Sequence, residues 1–328
     1  TVTLAGGTVT GTVSGGNRTA VGNTLNVVGM NNRAGSVENF QNMKFDATGA
    51  VKNSTLLTVT GTNATKVDWT TLTVTGTAEK PLTLLKNESG IDLAGYAGAA
   101  KSETTDTTET NVDVRKNSLG KITAITYEGY QFAGVTAPVI SGTDVYGGIS
   151  RAGNSTHNNV ITVNSNYTNV YGGHTSGAGT TRADKDNSYS NTVTITGGTL
   201  GNVYGGYTAA ADGTTNHNTV TLAGGTVTGT VSGGNRTAVG NTLNVVGMNN
   251  RAGSVENFQN MNFDATGAVK NSTLLTVTGA NATKVDWTKL TATGTSVKPL
   301  TLLKNESGIE LAGYTGAAKS ETTDTTET

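Results

Sequence analysis

The chain has 328 residues, a formal net charge of −1 and no cysteine. Thr (64) and Gly (45) together make about a third of it, and charged residues only 14%, against roughly 25% in an average domain. These figures exclude disulfides, Cys-ligated metals and thiol catalysis, a basic footprint for nucleic acid and, with no run of about 20 apolar residues, a membrane-spanning helix. An apolar share of 34% suits a thin β structure, in which Thr and Val favour strands and Gly turns corners.

In chain order, residues 1–35 alternate polar and apolar side chains between Gly pairs, the period of half-buried strands. The stretch 36–93 is less regular. "SVENFQNMKFDATG", "STLLTVTG", "KVDWTTLTVTG" and "PLTLLKNESGIDLAG" still read as short strands, with Phe40, Phe45 and Trp69 expected to fill a wider core. The acidic run "SETTDTTET" at 102–110 lacks apolar side chains. It reads as a mobile linker or as one arm of the segment that follows. That segment, "TNVDVRKNSLGKITAITYEGYQF" at 110–132, predicts a strand, an Asn-Ser-Leu-Gly turn and a second strand: an antiparallel hairpin projecting from the rest.

From Asp144 onward a short pattern recurs. Strands "NNVITV" (158–163), "NTVTI" (191–195), "NTVTL" (218–222) and "NTLNVV" (241–246) alternate with strands that end in V-x-G-G, at Val145, Val170, Val203 and Val231. The variable length falls in polar stretches such as 174–190. Short strands in fixed order, with variable loops at one place, predict a parallel β-solenoid whose coils stack about 4.8 Å apart. Inward Val, Ile and Leu would form the core, and outward Thr would form ladders. Gly-Gly would supply positive φ at corners, and the Asn opening each "N-T-V" would cap the corner with its amide. At about 25 residues per coil the chain would make about 13 coils.

A longer repeat lies above this one. Residues 1–110 recur as 219–328 with eight substitutions: Lys44/Asn262, Thr62/Ala280, Thr71/Lys289, Val74/Ala292, Ala78/Ser296, Glu79/Val297, Asp92/Glu310 and Ala97/Thr315. Residues 1–110 thus read as the C-terminal half of one unit and 111–328 as a complete unit, an excerpt from a longer tandem array.

Coils such as "NTVTITGGTLGNVYGG", and the stretch "SVENFQNMKFDATG...STLLTVTG", resemble the passenger regions of bacterial autotransporter adhesins. The resemblance covers 1–93 and about 144–311. It implies an all-β, right-handed parallel β-helix, secretion across the outer membrane, and display on the bacterial cell surface by an outer-membrane barrel that this chain lacks. It also implies a host surface protein or glycan as partner, and association of neighbouring rods.

Enzymes share this architecture, and each class of chemistry would need its own set of residues. A glycosidase needs two carboxylates roughly 5–10 Å apart. The acidic residues are scattered, and "RADKD" at 182–186, the densest mixed cluster, reads as a solvated loop. A metal site needs three or four converging ligands. His157, His174 and His217 read as exposed loop residues, with His157 and His217 at matching coil positions and Ser190 between them. No phosphate-binding loop occurs. The "TVT" triplets could suit an ice-binding array, but unequal coil lengths argue against one. The reading is therefore a segment without catalytic, cofactor or metal residues. Its candidate contact surface is a ladder of outward tyrosines, Tyr146, Tyr171 and Tyr204, ended by Ser232, with Tyr207 in the adjoining loop. The expected role is adhesion and reach. The alternatives are a purely structural stalk or, less favoured, a carbohydrate-active enzyme.

Overall fold

The computed structural model describes residues 1–17, 21–151, 153–176 and 187–319. Among these residues the chain is strands and turns, with one 3-10 turn at Trp287–Lys289. It divides into two compact units, Thr1–Tyr130 and Gln131–Thr328. Each is a β-solenoid of parallel stacked strands.

In the second unit one face carries seven parallel rungs: Asp144–Ser150, Tyr167–Thr175, Thr199–Thr208, Thr226–Gly234, Asn250–Glu256, Thr273–Val277 and Thr301–Asn305. A second face stacks Val160–Val163, Thr192–Ile195, Thr219–Leu222, Thr242–Val246, Asn260–Asp264 and Leu290–Thr293. Between them runs a thin core made of single-file rows. Val145, Val170, Val203, Val231 and Val255 are in register and buried. Opposite them lie Ile161, Val193, Val220, Leu243 and Met261. A core one or two side chains wide needs few apolar residues per coil, which accounts for the low apolar share. Outward Thr forms the expected ladder, as in Thr194–Thr221.

The first unit repeats the plan with four rungs, Thr8–Ser14, Asn32–Glu38, Thr55–Val59 and Leu82–Lys86. Phe40, Phe45 and Trp69 are buried in its core. The turns of the two units number about 11, against about 13 expected. The shortfall lies in residues 101–141, which form antiparallel strands instead. Lys101–Thr104 pairs with Thr108–Lys116, so the acidic run at 102–110 is an ordered arm; its copy at 320–328 lies outside the described residues. The next strand, Ile122–Gln131, follows the expected turn, where Asn117 Oδ1 accepts from the Leu119 and Lys121 amides and Gly120 has φ 77°. This strand pairs antiparallel with Leu82–Lys86. The hairpin therefore continues the sheet of the first unit, and the unit boundary falls at Tyr130, after the sequence-repeat boundary at Thr110.

The coil corner is held by buried amides. Asn159, Asn191, Asn218 and Asn241 have no exposed surface. Asn191 Oδ1 accepts from Asn159 Nδ2 at 2.8 Å, and Asn218 Oδ1 accepts from Asn191 Nδ2 at 3.0 Å. The Asn218 amide donates to Asn241 Oδ1 at 2.8 Å, and the Asn241 amide to Gln259 Oε1 at 2.9 Å. The Asn capping read from "N-T-V" is thus realised as a continuous ladder.

The Gly-Gly pairs divide into two kinds. Gly6–Gly7, Gly224–Gly225 and the second residue of Gly197–Gly198 have the expected positive φ. Those of V-x-G-G depart from this: they lie inside extended strands and none has positive φ. Positive φ falls also at Asn158, Ser190 and His217. The V-x-G-G glycines are required for space. A Cβ on Gly172 would collide with the Gly205 carbonyl oxygen and lie 2.9 Å from Val193 Cγ2. The rung passes so close to the Asn ladder that only hydrogen fits.

Candidate functional site

The three ladder tyrosines sit at matching places on successive rungs. Tyr146 aligns with Tyr171, and Tyr171 with Tyr204. The inward Val before each Tyr fixes its outward direction, because side chains alternate along a strand. The rings stack at centroid distances of 5.2 and 5.4 Å with interplanar angles of 14° and 8°. The column ends as expected, with Ser232 opposite Tyr204.

A second column was not foreseen. His174 and Tyr207 align on adjacent rungs and stack at 4.8 Å and 5°. Neither is a loop residue: both lie in strands, Tyr167–Thr175 and Thr199–Thr208. The columns interlock edge to face. His174 meets Tyr171 at 4.9 Å and 79°, and Tyr207 meets Tyr204 at 5.6 Å and 74°. In a regular strand, residues three apart point to opposite faces. Here the two glycines between them let both rings share one side. The signal was present in "YGGI", "YGGH" and "YGGY" at 146–149, 171–174 and 204–207.

Polar groups flank the rings. Asp144, Asn169 and Asn202 form a row alongside. Asn169 Nδ2 donates to Asp144 Oδ1 at 2.9 Å, and Asn202 Nδ2 to Asn169 Oδ1 at 3.0 Å. Burial pushes the Tyr146, Tyr171 and Tyr204 phenols up, and the Asp144 charge adds to this at Tyr146 and Tyr171. All three are neutral hydrogen-bonding groups at pH 7. Burial pushes His174 down to about 4, helped by the Arg151 charge, so its imidazole is neutral too. The face is thus aromatic, partly exposed and uncharged at its centre.

A pH dependence follows. An unfolded His titrates near 6.5. Between about pH 6.5 and 4 the unfolded chain holds a proton on residue 174 that the folded unit excludes. Stability therefore falls as pH falls through that window, by at most about 3 kcal/mol. His174→Phe should flatten this part of the curve. Denaturant titrations at pH 7 and pH 4 check it: an equal acid-induced loss in the wild type and the variant would remove His174 as the cause.

The other histidines are corrected by one residue of register. His157 aligns with Tyr189, stacked at 5.1 Å and 8°, and not with Ser190. The place matching His217 is held by Ser190 and Asn158, all three with positive φ. Within "NNVITV" Val160 is 51% exposed and it is Ile161 that points inward. A shift of one residue exchanges faces.

The "TVT" triplets are in register despite unequal coil lengths. Thr192/Thr194 and Thr219/Thr221 form an array two rungs deep, and its neighbours are Val160/Thr162 and Thr242/Asn244. "RADKD" lies outside the described residues. In the first unit a shallow groove is lined by Phe40, Lys66, Asp68 and Asp92 among others. Asp68 there accepts from the Thr70 hydroxyl at 2.6 Å and its amide at 2.9 Å, and these bonds hold its carboxyl below the usual range. Glycoside hydrolysis needs one carboxyl raised as a general acid, and Asp68 is shifted the other way. Among the described residues no three His, Asp or Glu side chains gather as for a metal. No family model, curated protein or solved structure matches this chain.

Proposed function

We propose that this chain is a repeat segment of a secreted bacterial adhesin, displayed at the cell surface, that supplies reach and a non-catalytic contact face. One observation carries the reading: the interlocked columns Tyr146–Tyr171–Tyr204 and His174–Tyr207, flanked by Asp144, Asn169 and Asn202. Partly exposed aromatic rings beside fixed amides supply apolar contact area and hydrogen bonds with little entropy to lose. The partner would be a host surface protein or glycan.

The geometry narrows how such a face binds. Stacked rings spend their faces on each other, so along the column they offer edges and hydroxyls. At its two ends the column is flanked by Val139, opposite Tyr146, and Ser232, opposite Tyr204. The contact is therefore expected to be lateral, along a row of phenols spaced 5.2–5.4 Å apart. The same fact favours the second reading, a stalk whose rings only brace neighbouring coils.

The two readings separate by experiment. The folded chain is screened against host-cell surfaces and glycan and matrix-protein arrays. The Tyr146/Tyr171/Tyr204→Ser variant runs alongside, Ser being the residue that continues the column at Ser232. On the adhesin reading any ligand found loses at least tenfold in affinity, about 1.4 kcal/mol, while circular dichroism shows the solenoid retained. Unchanged binding would sink the tyrosine face, and no ligand for the folded wild type would favour the stalk.

A further inference from the structure

One stretch of eleven residues, Pro81–Ile91, recurs unchanged as Pro299–Ile309. It ends the parallel rungs in both units, yet among the described residues only one copy is covered. Leu82–Lys86 receives Ile122–Gln131 on its far side, with Ile125 opposite Leu85 and Tyr127 opposite Leu82. The Asn87 amide donates to the Thr123 carbonyl at 2.9 Å. Ile125 is fully buried there, and the Lys80 ammonium lies 4.8 Å from the centre of the Tyr127 ring. Under this cover Leu82, Leu84, Leu85 and Ile91 are 0–4% exposed.

In the second unit Thr301–Asn305 is the last strand of its sheet among the described residues. Leu300, Leu302 and Leu303 are only partly buried and Ile309 is 37% exposed. Every group that receives the covering strand in the first unit is present again: the same leucines, the Asn305 amide, and Lys298 in place of Lys80. An open edge of this kind, apolar and unpaired, is a template for another strand.

We propose that the Thr301–Asn305 edge is a strand-accepting site and that its occupant is a further copy of residues 111–132, joined in line after Thr328 as the first copy is joined after Thr110. The register is that of the first unit, with the Ile125 equivalent opposite Leu303 and the Tyr127 equivalent opposite Leu300. Each unit of an array would then close its last coil with the hairpin that opens the next.

The test compares the 328-residue chain with the same chain extended by a copy of residues 111–132. Amide exchange is followed by mass spectrometry on peptides that include Ser296 and Val297, which tell this copy from the one bearing Ala78 and Glu79. Exchange at 300–305 should slow by about a hundredfold and approach that of 82–86 in the same molecule, which also reports that the fold is intact. An extension carrying Asp at the Ile125 position should give no such protection. Three results would each overturn the proposal: unprotected 300–305 in the extended chain, 300–305 already as slow as 82–86 without it, or equal protection from a scrambled extension.

Discussion

Asn191→Ala should destabilise the Gln131–Thr328 unit by about 3–5 kcal/mol, more than any surface substitution in it. The Asn191 side chain bonds to both neighbouring rungs. It accepts from the Asn159 amide and Nδ2, and its Nδ2 donates to Asn218 Oδ1 and to the Thr156 carbonyl at 3.2 Å. Removing it strands the Asn159 N–H in a buried site, at a cost of about 1–3 kcal/mol. The Asn159 Nδ2, the Thr156 carbonyl and the Asn218 Oδ1 each lose one of their bonds, and the vacated volume adds to this. Asn164→Ala, at an exposed position, should change stability by less than about 0.5 kcal/mol. Amide exchange in strands Val160–Val163, Thr192–Ile195 and Thr219–Leu222 reads the effect locally, and denaturant midpoints read it globally. Similar stabilities for the two variants would show that the ladder is ornamental.

Gly172→Ala should be the second severe change. In an ordinary strand, Gly to Ala gains about 0.5–1 kcal/mol. Here the new methyl meets the Gly205 carbonyl, Val193 and Asn191, two of them on packed rungs that cannot retreat independently. Overpacking of this kind costs about 1–3 kcal/mol, and a backbone obstacle places it at the upper end. Gly11, with no atom within 4 Å of its ideal Cβ and no positive φ, gives the opposite sign: Gly11→Ala should be neutral or slightly stabilising. Melting curves of the two variants check the pair, and a destabilised Gly11→Ala with a tolerated Gly172→Ala would overturn the spatial account.

Much of this fold is legible in the sequence, because each coil repeats the same few instructions. Alternation marked the strands, the Asn before each "T-V" marked the corner, and "NSLG" marked the hairpin turn. What escaped depended on contacts between coils. Gly172 reads the same whether it turns a corner or makes room for an amide, and only the neighbouring rung decides. The register at "NNVITV" was ambiguous because Val160 and Ile161 are both apolar and one must face outward. The His174–Tyr207 column was missed for a related reason. Strict alternation places residues 171 and 174 on opposite faces, and the two glycines between them break the rule. The covering of Leu82–Lys86 by Ile122–Gln131 needed a pairing across some forty residues that no local pattern announces.

The buried amides also give the stack a polarity. In each link an N–H of the earlier residue donates to the side-chain oxygen of the later one, from Asn159 to Asn191, Asn218, Asn241 and finally Gln259. The Nδ2 of Asn191, Asn218 and Asn241 returns a bond to a carbonyl of the coil before. Each coil of this ladder thus presents different groups on its two sides. A copied coil fits at any such junction if it enters in the same sense, and none fits reversed. A gene that grows by duplicating whole coils needs no new joint.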